Sequence, residues 1–277
     1  MPLPETFQFS QGNLQDYVDC PRRFQLRYVL MQPWPGLITD APLEFEQHLQ
    51  RGAELHHLAH QYTQGIDIGR LSAMVAQDHT LSRWWQTFLD RPPSGLPPAA
   101  RHAEVVLSAP LAGYRLLAKL DLLAIDPGQR MVIVDWKTAY KRPSRSRLAQ
   151  RMQTLVYRYL AVEAGATFFG GQRPPPEAIE MTYWFAEQGG ECERLPYDAA
   201  QHEAAHDRLT ELVSEITGLR AEVWPLTPDA RQCRFCKYRS LCERGVKAGF
   251  LEELEDEVES PDFEATLDLE QIAEVEF

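Results

Sequence analysis

This 277-residue sequence predicts an α/β fold, a central mixed sheet flanked by helices. Three observations point there. Amphipathic helical stretches stand before, within and after a group of strand-like segments. One of those segments, "MVIVDWK" at 131–137, is a run of apolar β-formers that ends abruptly in an acid and a lysine. The composition, 44% hydrophobic and 25% charged, is that of an ordinary globular chain, with no apolar run approaching the roughly 18 residues of a membrane span.

In chain order, Ser10 is a plausible N-cap for a helix carrying Leu14, Tyr17 and Val18 on one face, and Pro21 can start a fresh helical turn. A second helix is expected over about 42–64 and a third over 71–90, ending at the Pro-rich connector "RPPSGLPPAA". Strands follow at 102–109, 114–125 and 131–136, the last two joined by the turn "DPGQ". Residues 145–164 read as one amphipathic helix. A Gly/Pro loop leads from it to the strand "AIEMTYWFA" and a hairpin through "EQGGE". A long helix over about 198–221 precedes a cysteine-rich segment and an acidic tail. Residues 1–250 are expected to form a single domain, with a helical region at about 42–100 and a core at about 101–220.

The net charge of −12 disfavours nucleic acid at first sight, but it is unevenly placed. Residues 251–277 carry twelve acids and no Lys or Arg, which equals the whole net charge and leaves 1–250 balanced. "KTAYKRPSRSRLAQRMQTLVYR", from Lys137 to Arg158, has seven basic residues and no acid. The start, "MPLPETFQFS", has neither a basic beginning nor an apolar core, so no signal peptide is expected and a cytoplasmic location follows. In that compartment five cysteines are not expected to pair as disulfides.

Three groups of residues carry chemistry. Asp135 and Lys137 lie two apart on a strand and so share one side of the sheet, and Asp121, on the neighbouring strand, can reach the same sheet end. Two carboxylates repel unless protonated or bridged by a cation, and hard oxygen ligands suit Mg²⁺ or Mn²⁺. The bland alternative is a salt bridge at the strand end, Asp135 with Lys137 or Lys119. Second, His56, His57 and His60 lie close together on a helix, with His56 and His60 one turn apart, and Gly52, a turn earlier, is expected to permit close packing against another backbone. Third, Cys233, Cys236 and Cys242 cluster as Cx2Cx5C, with Cys20 far upstream. This pattern indicates a metal or cluster site and fits an iron–sulfur cluster better than zinc, the alternative. Cys192 is left over as a small apolar residue.

Taken in order, "LQDYVDCPRRFQLRYV", "RGAELHH", "AKLDLLAID", "VIVDWKTA", "QRMQTLVYRYLA" and "CRFCKYRSLC" resemble the PD-(D/E)XK nuclease superfamily. The resemblance is to its RecB/AddB-like iron–sulfur branch, which includes CRISPR-associated RecB-like exonucleases. It spans residues 10–244 and implies a restriction-endonuclease-like core. It further implies a metal-dependent DNA nuclease, most plainly an exonuclease acting on single strands or DNA ends, in DNA repair, recombination or CRISPR-type processing. Asp121, Asp135 and Lys137 match the motif acids and lysine, and Gln153 and Tyr157 the QxxxY pair. His56 matches the metal-shell histidine, with the Trp136 carbonyl as a further metal ligand. Glu104 matches an acid one strand earlier. Cys20, Cys233, Cys236 and Cys242 would hold a 4Fe–4S cluster. Lys119 and His60 depart from the family pattern, standing where a glycine and an acid are common. Lys141, Arg142, Arg145, Arg147 and Arg151 are expected to track a DNA backbone, and Tyr140 or Trp136 is a candidate to stack on a base, although core packing suits Trp136 better. No Walker loop is present, so the chain is expected to be a stand-alone nuclease module or a subunit that borrows its motor. The rival reading is a silent nuclease-fold module that only binds nucleic acid or a partner. The acidic tail is expected to dock a protein partner, compete with DNA, or merely solubilise.

Overall fold

The computed structural model describes residues 3–33, 43–234, 236 and 238–246; the acidic tail lies outside them. Six strands form one mixed sheet: β1 (Gln8–Phe9), β2 (Ala100–Leu111), β3 (Tyr114–Asp126), β4 (Arg130–Lys137), β5 (Ile179–Phe185) and β6 (Glu191–Pro196). β3 is the axis. From Tyr114 to Ile125 it pairs antiparallel with β2 along one edge, with a break in the ladder at Asp121. The other edge pairs with β1 at Arg115 and Leu116 and with β4 only from Leu122 onward. β4 and β5 run parallel, and β5 returns to β6 antiparallel.

The turns follow from local chemistry. Ala112 and Gly113 both take positive φ in the two-residue β2–β3 connection, the backbone that matches strand twist in a tight hairpin. Gly128 supplies the positive φ of the "DPGQ" turn. The expected hairpin through 187–191 joins β5 to β6, with Gly189 and Gly190 at positive φ.

Helices cover both faces. On one side lie α1 (Gln11–Asp19), α7 (Met152–Ala164) and α8 (Ala199–Gly218), whose Leu14, Val156, Leu160, Leu209 and Val213 pack on Leu120, Leu123, Met131, Ile133 and Met181. On the other lie α3 (Leu43–Thr63), α4 (Ile68–Val75) and α5 (His79–Asp90). Their Leu55, Leu71, Trp84, Trp85 and Phe88 pack on Leu122, Val132, Val134, Trp136 and Trp184. Each such side chain, fully buried, contributes about 1.5–3 kcal/mol before conformational entropy is charged against it. Trp136 meets Phe88 and Trp184 edge-on at 5.1 and 5.6 Å and is 4% exposed, so its indole is core and not a base-stacking surface.

Two expected helices are each broken in two. The stretch 71–90 divides because Asp78 caps α5, accepting from the Leu81 N–H, while its other oxygen pairs with Arg51. The stretch 145–164 divides into α6 (Arg145–Gln150) and α7 at Arg151, which is extended. Here the Leu148 carbonyl, which an unbroken helix would offer to Met152, accepts from the Arg151 N–H and the Thr154 hydroxyl. α2 (Pro21–Phe24) starts at Pro21 as the sequence predicts and continues as a wider π turn over Gln25–Val29.

Candidate active site at the strand fork

The site forms where β3 and β4 part. Their ladder stops at Leu122 and Val134; beyond it the Trp136 N–H donates to the Asp121 carboxylate at 3.0 Å instead of to a strand carbonyl. The side chain of Asp121 thus replaces a ladder bond and props the fork open.

A change of face occurs at the same place. Leu116, Ala118 and Leu120 of β3 join the α7 side, Leu122 joins the α5 side, and Leu123 and Ile125 return to the first. Opposite, β2 makes the same exchange: Val105 and Leu107 belong to the α7 side, whereas Ala103 packs with the α5 side. Glu104, the residue across from Asp121, has φ 55°, a conformation costly for a non-glycine residue. Both acids face α3. There His56 Nδ1 lies 3.2 Å from Asp121, and His60 Nδ1 lies 3.8 Å from Glu104. Lys119 also pairs with Glu104, at 3.0 Å. His57 is exposed, and a Cβ on Gly52 would stand 3.0 Å from the Thr138 hydroxyl, so the close packing is against a side chain and not a backbone.

On the α7 side, Asp135 and Lys137 are 2% and 7% exposed. Lys137 Nζ stands 2.9 Å from Asp135 and donates to Gln153 Oε1 at 2.9 Å; Gln153 Nε2 donates to Asp135 Oδ1 at 2.7 Å. One amide therefore grips both ends of the pair. Gln153 Nε2 also reaches the Tyr157 hydroxyl at 3.3 Å, one helical turn on, and that hydroxyl donates to the Lys119 carbonyl at 3.0 Å. The salt bridge between Asp135 and Lys137 is real, but it is one edge of a larger array.

The charges are unevenly compensated. Burial, aided by the Asp121 charge and opposed by Lys137, pushes the Asp135 carboxyl up to about 6. Burial opposes the Asp121 charge too, yet His56 and the Trp136 N–H outweigh it and hold that carboxyl below its usual range. Desolvation likewise opposes the His56 imidazolium, and Asp121 overcomes it, raising the His56 pKa. Among the described residues no group of three or more His, Cys, Asp or Glu side chains already surrounds a metal position. Each acid is turned instead to a protein donor. The donor set still suits a hard divalent ion, with two mutually repelling carboxylates and an imidazole at one open fork.

The basic stripe is less free than its sequence suggests. Arg142 pairs with Glu191 at 2.8 Å and with Glu193, and Arg145 with Glu193 and the Arg194 carbonyl. Lys141 and Arg147 are exposed, and Arg151 is half-buried at the break between α6 and α7. Tyr140 is half-exposed and stacks on His48 at 4.1 Å, a buried histidine for which the sequence offers no motif.

Cys20, Cys233, Cys236 and Cys242 line one pocket, together with Arg23 and Arg244, and all five cysteines are free thiols. Burial, reinforced by Cys20 and Cys242, pushes the Cys236 thiol up to about 11. Arg244 lies 3.4 Å from the Cys233 sulfur. The two chain regions are tied beside the pocket: Trp224 stacks on Phe24 at 5.7 Å, and the Trp224 backbone N–H donates to Gln25 Oε1. Cys192 lies apart on β6, half-buried.

A mixed sheet between helical layers, carrying an acid–lysine pair at a fork between strands, defines a nuclease fold. The chain belongs to the PD-(D/E)XK nuclease superfamily, whose model matches residues 8–243. It is similar in structure to a "putative exonuclease" from Eubacterium rectale, with TM-score 0.51 and 9% identity over 88% of this chain and 90% of that one. At that identity the likeness is one of fold. A second solved structure, SSO0001, aligns over 85% of each chain with TM-score 0.38 and 11% identity. No curated protein matches the chain. No described helix is long and apolar enough to cross a membrane.

Proposed function

We propose that this protein is a Mg²⁺- or Mn²⁺-dependent DNA exonuclease acting on single strands or DNA ends, with residues 1–250 as one nuclease domain. The observation that carries the reading is the array in which Gln153 holds both Asp135 and Lys137 beside Asp121 at the fork. Asp121, Asp135, His56 and the Trp136 carbonyl would hold the cation. When bound, such a cation polarises the scissile phosphate and lowers the pKa of its water. Lys137, fixed by Gln153, orients the attacking water and stabilises charge on the phosphoryl oxygens. Tyr157 fixes Gln153 in turn. Arg147, exposed, is best placed for the DNA backbone, because Arg142 and Arg145 are engaged by Glu191 and Glu193.

The four thiols lining one pocket support a 4Fe–4S cluster there, with zinc the alternative four-thiolate ligand. We place the protein in the RecB/AddB-like branch on that basis, in the cytoplasm, processing DNA for repair, recombination or CRISPR-type functions, with the acidic tail available to a protein partner. The deciding experiment incubates anaerobically purified protein with end-labelled single- and double-stranded DNA, with and without Mg²⁺ or Mn²⁺. Cation-dependent release of nucleotides from ends is expected. DNA binding without cleavage under every condition would assign a silent binding module instead.

A further inference from the structure

The polar chain that reaches Asp135 does not begin at Tyr157. Gln11, the first residue of α1, donates from Nε2 to the Tyr157 hydroxyl at 3.1 Å, although 146 positions separate them in sequence. That hydroxyl is fully committed: it accepts from Gln11 and Gln153 and donates to the Lys119 carbonyl. Gln153 then binds Asp135 and Lys137. The order is Gln11, Tyr157, Gln153, and then the acid and lysine. Tyr157 has no proton to spare for chemistry in this arrangement, so it acts as a junction.

We infer that Gln11 is a positioning residue of the active site, setting the Lys137–Asp135 geometry through Tyr157 and Gln153; the inference rests on the role proposed for that pair. Three features support it. The Gln11 carbonyl oxygen is buried and bonded to nothing among the described residues, so the contact that orients the amide is the one to Tyr157. The backbone beneath it is fixed, because the Ser10 side chain accepts from Asn13 N–H while the Asn13 side chain accepts from Ser10 N–H. The helix is pinned elsewhere as well: Gly12, Asn13, Leu14, Asp16 and Tyr17 are buried, and Tyr17 donates to Glu215 at 2.8 Å. A rigid helix thus delivers one amide donor to the hub of the array.

Gln11→Met keeps the length of the side chain and removes the donor. Measured on a 5′-labelled single-stranded oligonucleotide with saturating Mg²⁺, it should lower kcat about 3–10-fold, as expected for one lost hydrogen bond of about 1 kcal/mol, and leave KM within twofold. Gln11→Ala, which asks for no space, should show the same loss. In a Tyr157→Phe background neither change should cost anything further, because the bond they remove is already gone. Wild-type kcat in both Gln11 variants, or losses that multiply in the double variants, would overturn the inference. Lys137→Met separates the two levels: if it retains cleavage, the proposed active site is wrong, whereas if it is inactive and the Gln11 variants are normal, only the role of Gln11 fails.

Discussion

The Trp136 N–H donates to the Asp121 carboxylate at the point where β3 and β4 separate. Asp121 therefore has a structural task as well as a proposed chemical one, and substitutions can divide the two. Asp121→Ala leaves that N–H without its acceptor, which costs about 1–3 kcal/mol, whereas Asp121→Asn keeps an oxygen in place. Both variants should lose cleavage. Urea denaturation should find only the alanine variant clearly destabilised.

Asp135 carries a pH signature. An unperturbed aspartate titrates near 3.8, and burial raises Asp135 to about 6 in the folded chain. The folded state holds the extra proton between those values, so this contribution to stability is complete below about pH 4 and lost as pH rises through 6. Its size is on the order of 1–3 kcal/mol. Asp135→Asn should therefore raise Tm of the cation-free protein at pH 7.5 much more than at pH 4. Because a cation competes with that proton, Mg²⁺ affinity, read by calorimetry, should weaken below pH 6.

Gln153 predicts a graded loss of activity. Lys137→Met removes the ammonium itself and should reduce cleavage at least about 100-fold. Gln153→Leu leaves the ammonium near Asp135 but unoriented, and should cost less, about 10–100-fold. Single-turnover rates on labelled DNA check the order, with near-UV circular dichroism confirming that both variants fold.

The cysteines separate by position. Cys20→Ala should reduce bound iron or zinc and loosen the domain, since a group joining Cys20 to Cys233, Cys236 and Cys242 closes a very long loop. Cys192→Ala should be nearly silent, because Cys192 lies outside the pocket. Metal analysis with the visible spectrum distinguishes them: brown protein means iron, colourless protein zinc.

Removing residues 251–277 takes away twelve acids and brings the net charge from −12 to zero. If the tail competes for the basic stripe, the shortened protein should bind DNA more tightly, most of all at low salt. Equal affinity across a salt series would leave partner docking or solubility as its task.

What the sequence made legible follows the range of the interactions. The apolar run before Asp135, the two-residue spacing to Lys137 and the one-turn spacing of Gln153 and Tyr157 are local patterns, and β4 and α7 present them as expected. The breaks at Asp78 and Arg151 were local too, but there side-chain capping and the capture of the Leu148 carbonyl competed with helical periodicity. The engagement of Arg142 and Arg145 by Glu191 and Glu193 was not legible, because those acids arrive from a hairpin about fifty residues later. The same holds for the Gln11 contact and the positive φ of Glu104, which arise only once β3 has been bracketed by its neighbours.

The pairing of β1 with β3, and of Cys20 with the 233–242 segment, also sets an order of events during synthesis. α1 and α2 emerge early, yet their partners are made more than a hundred, and finally more than two hundred, residues later. At ribosomal rates of about 5–20 residues per second they wait roughly 10–50 s with Phe9, Leu14 and Phe24 uncovered. The 233–242 segment then closes over α1 and α2. A nascent chain thus holds every residue of its strand fork before the segment that closes over α1 and α2 has been made.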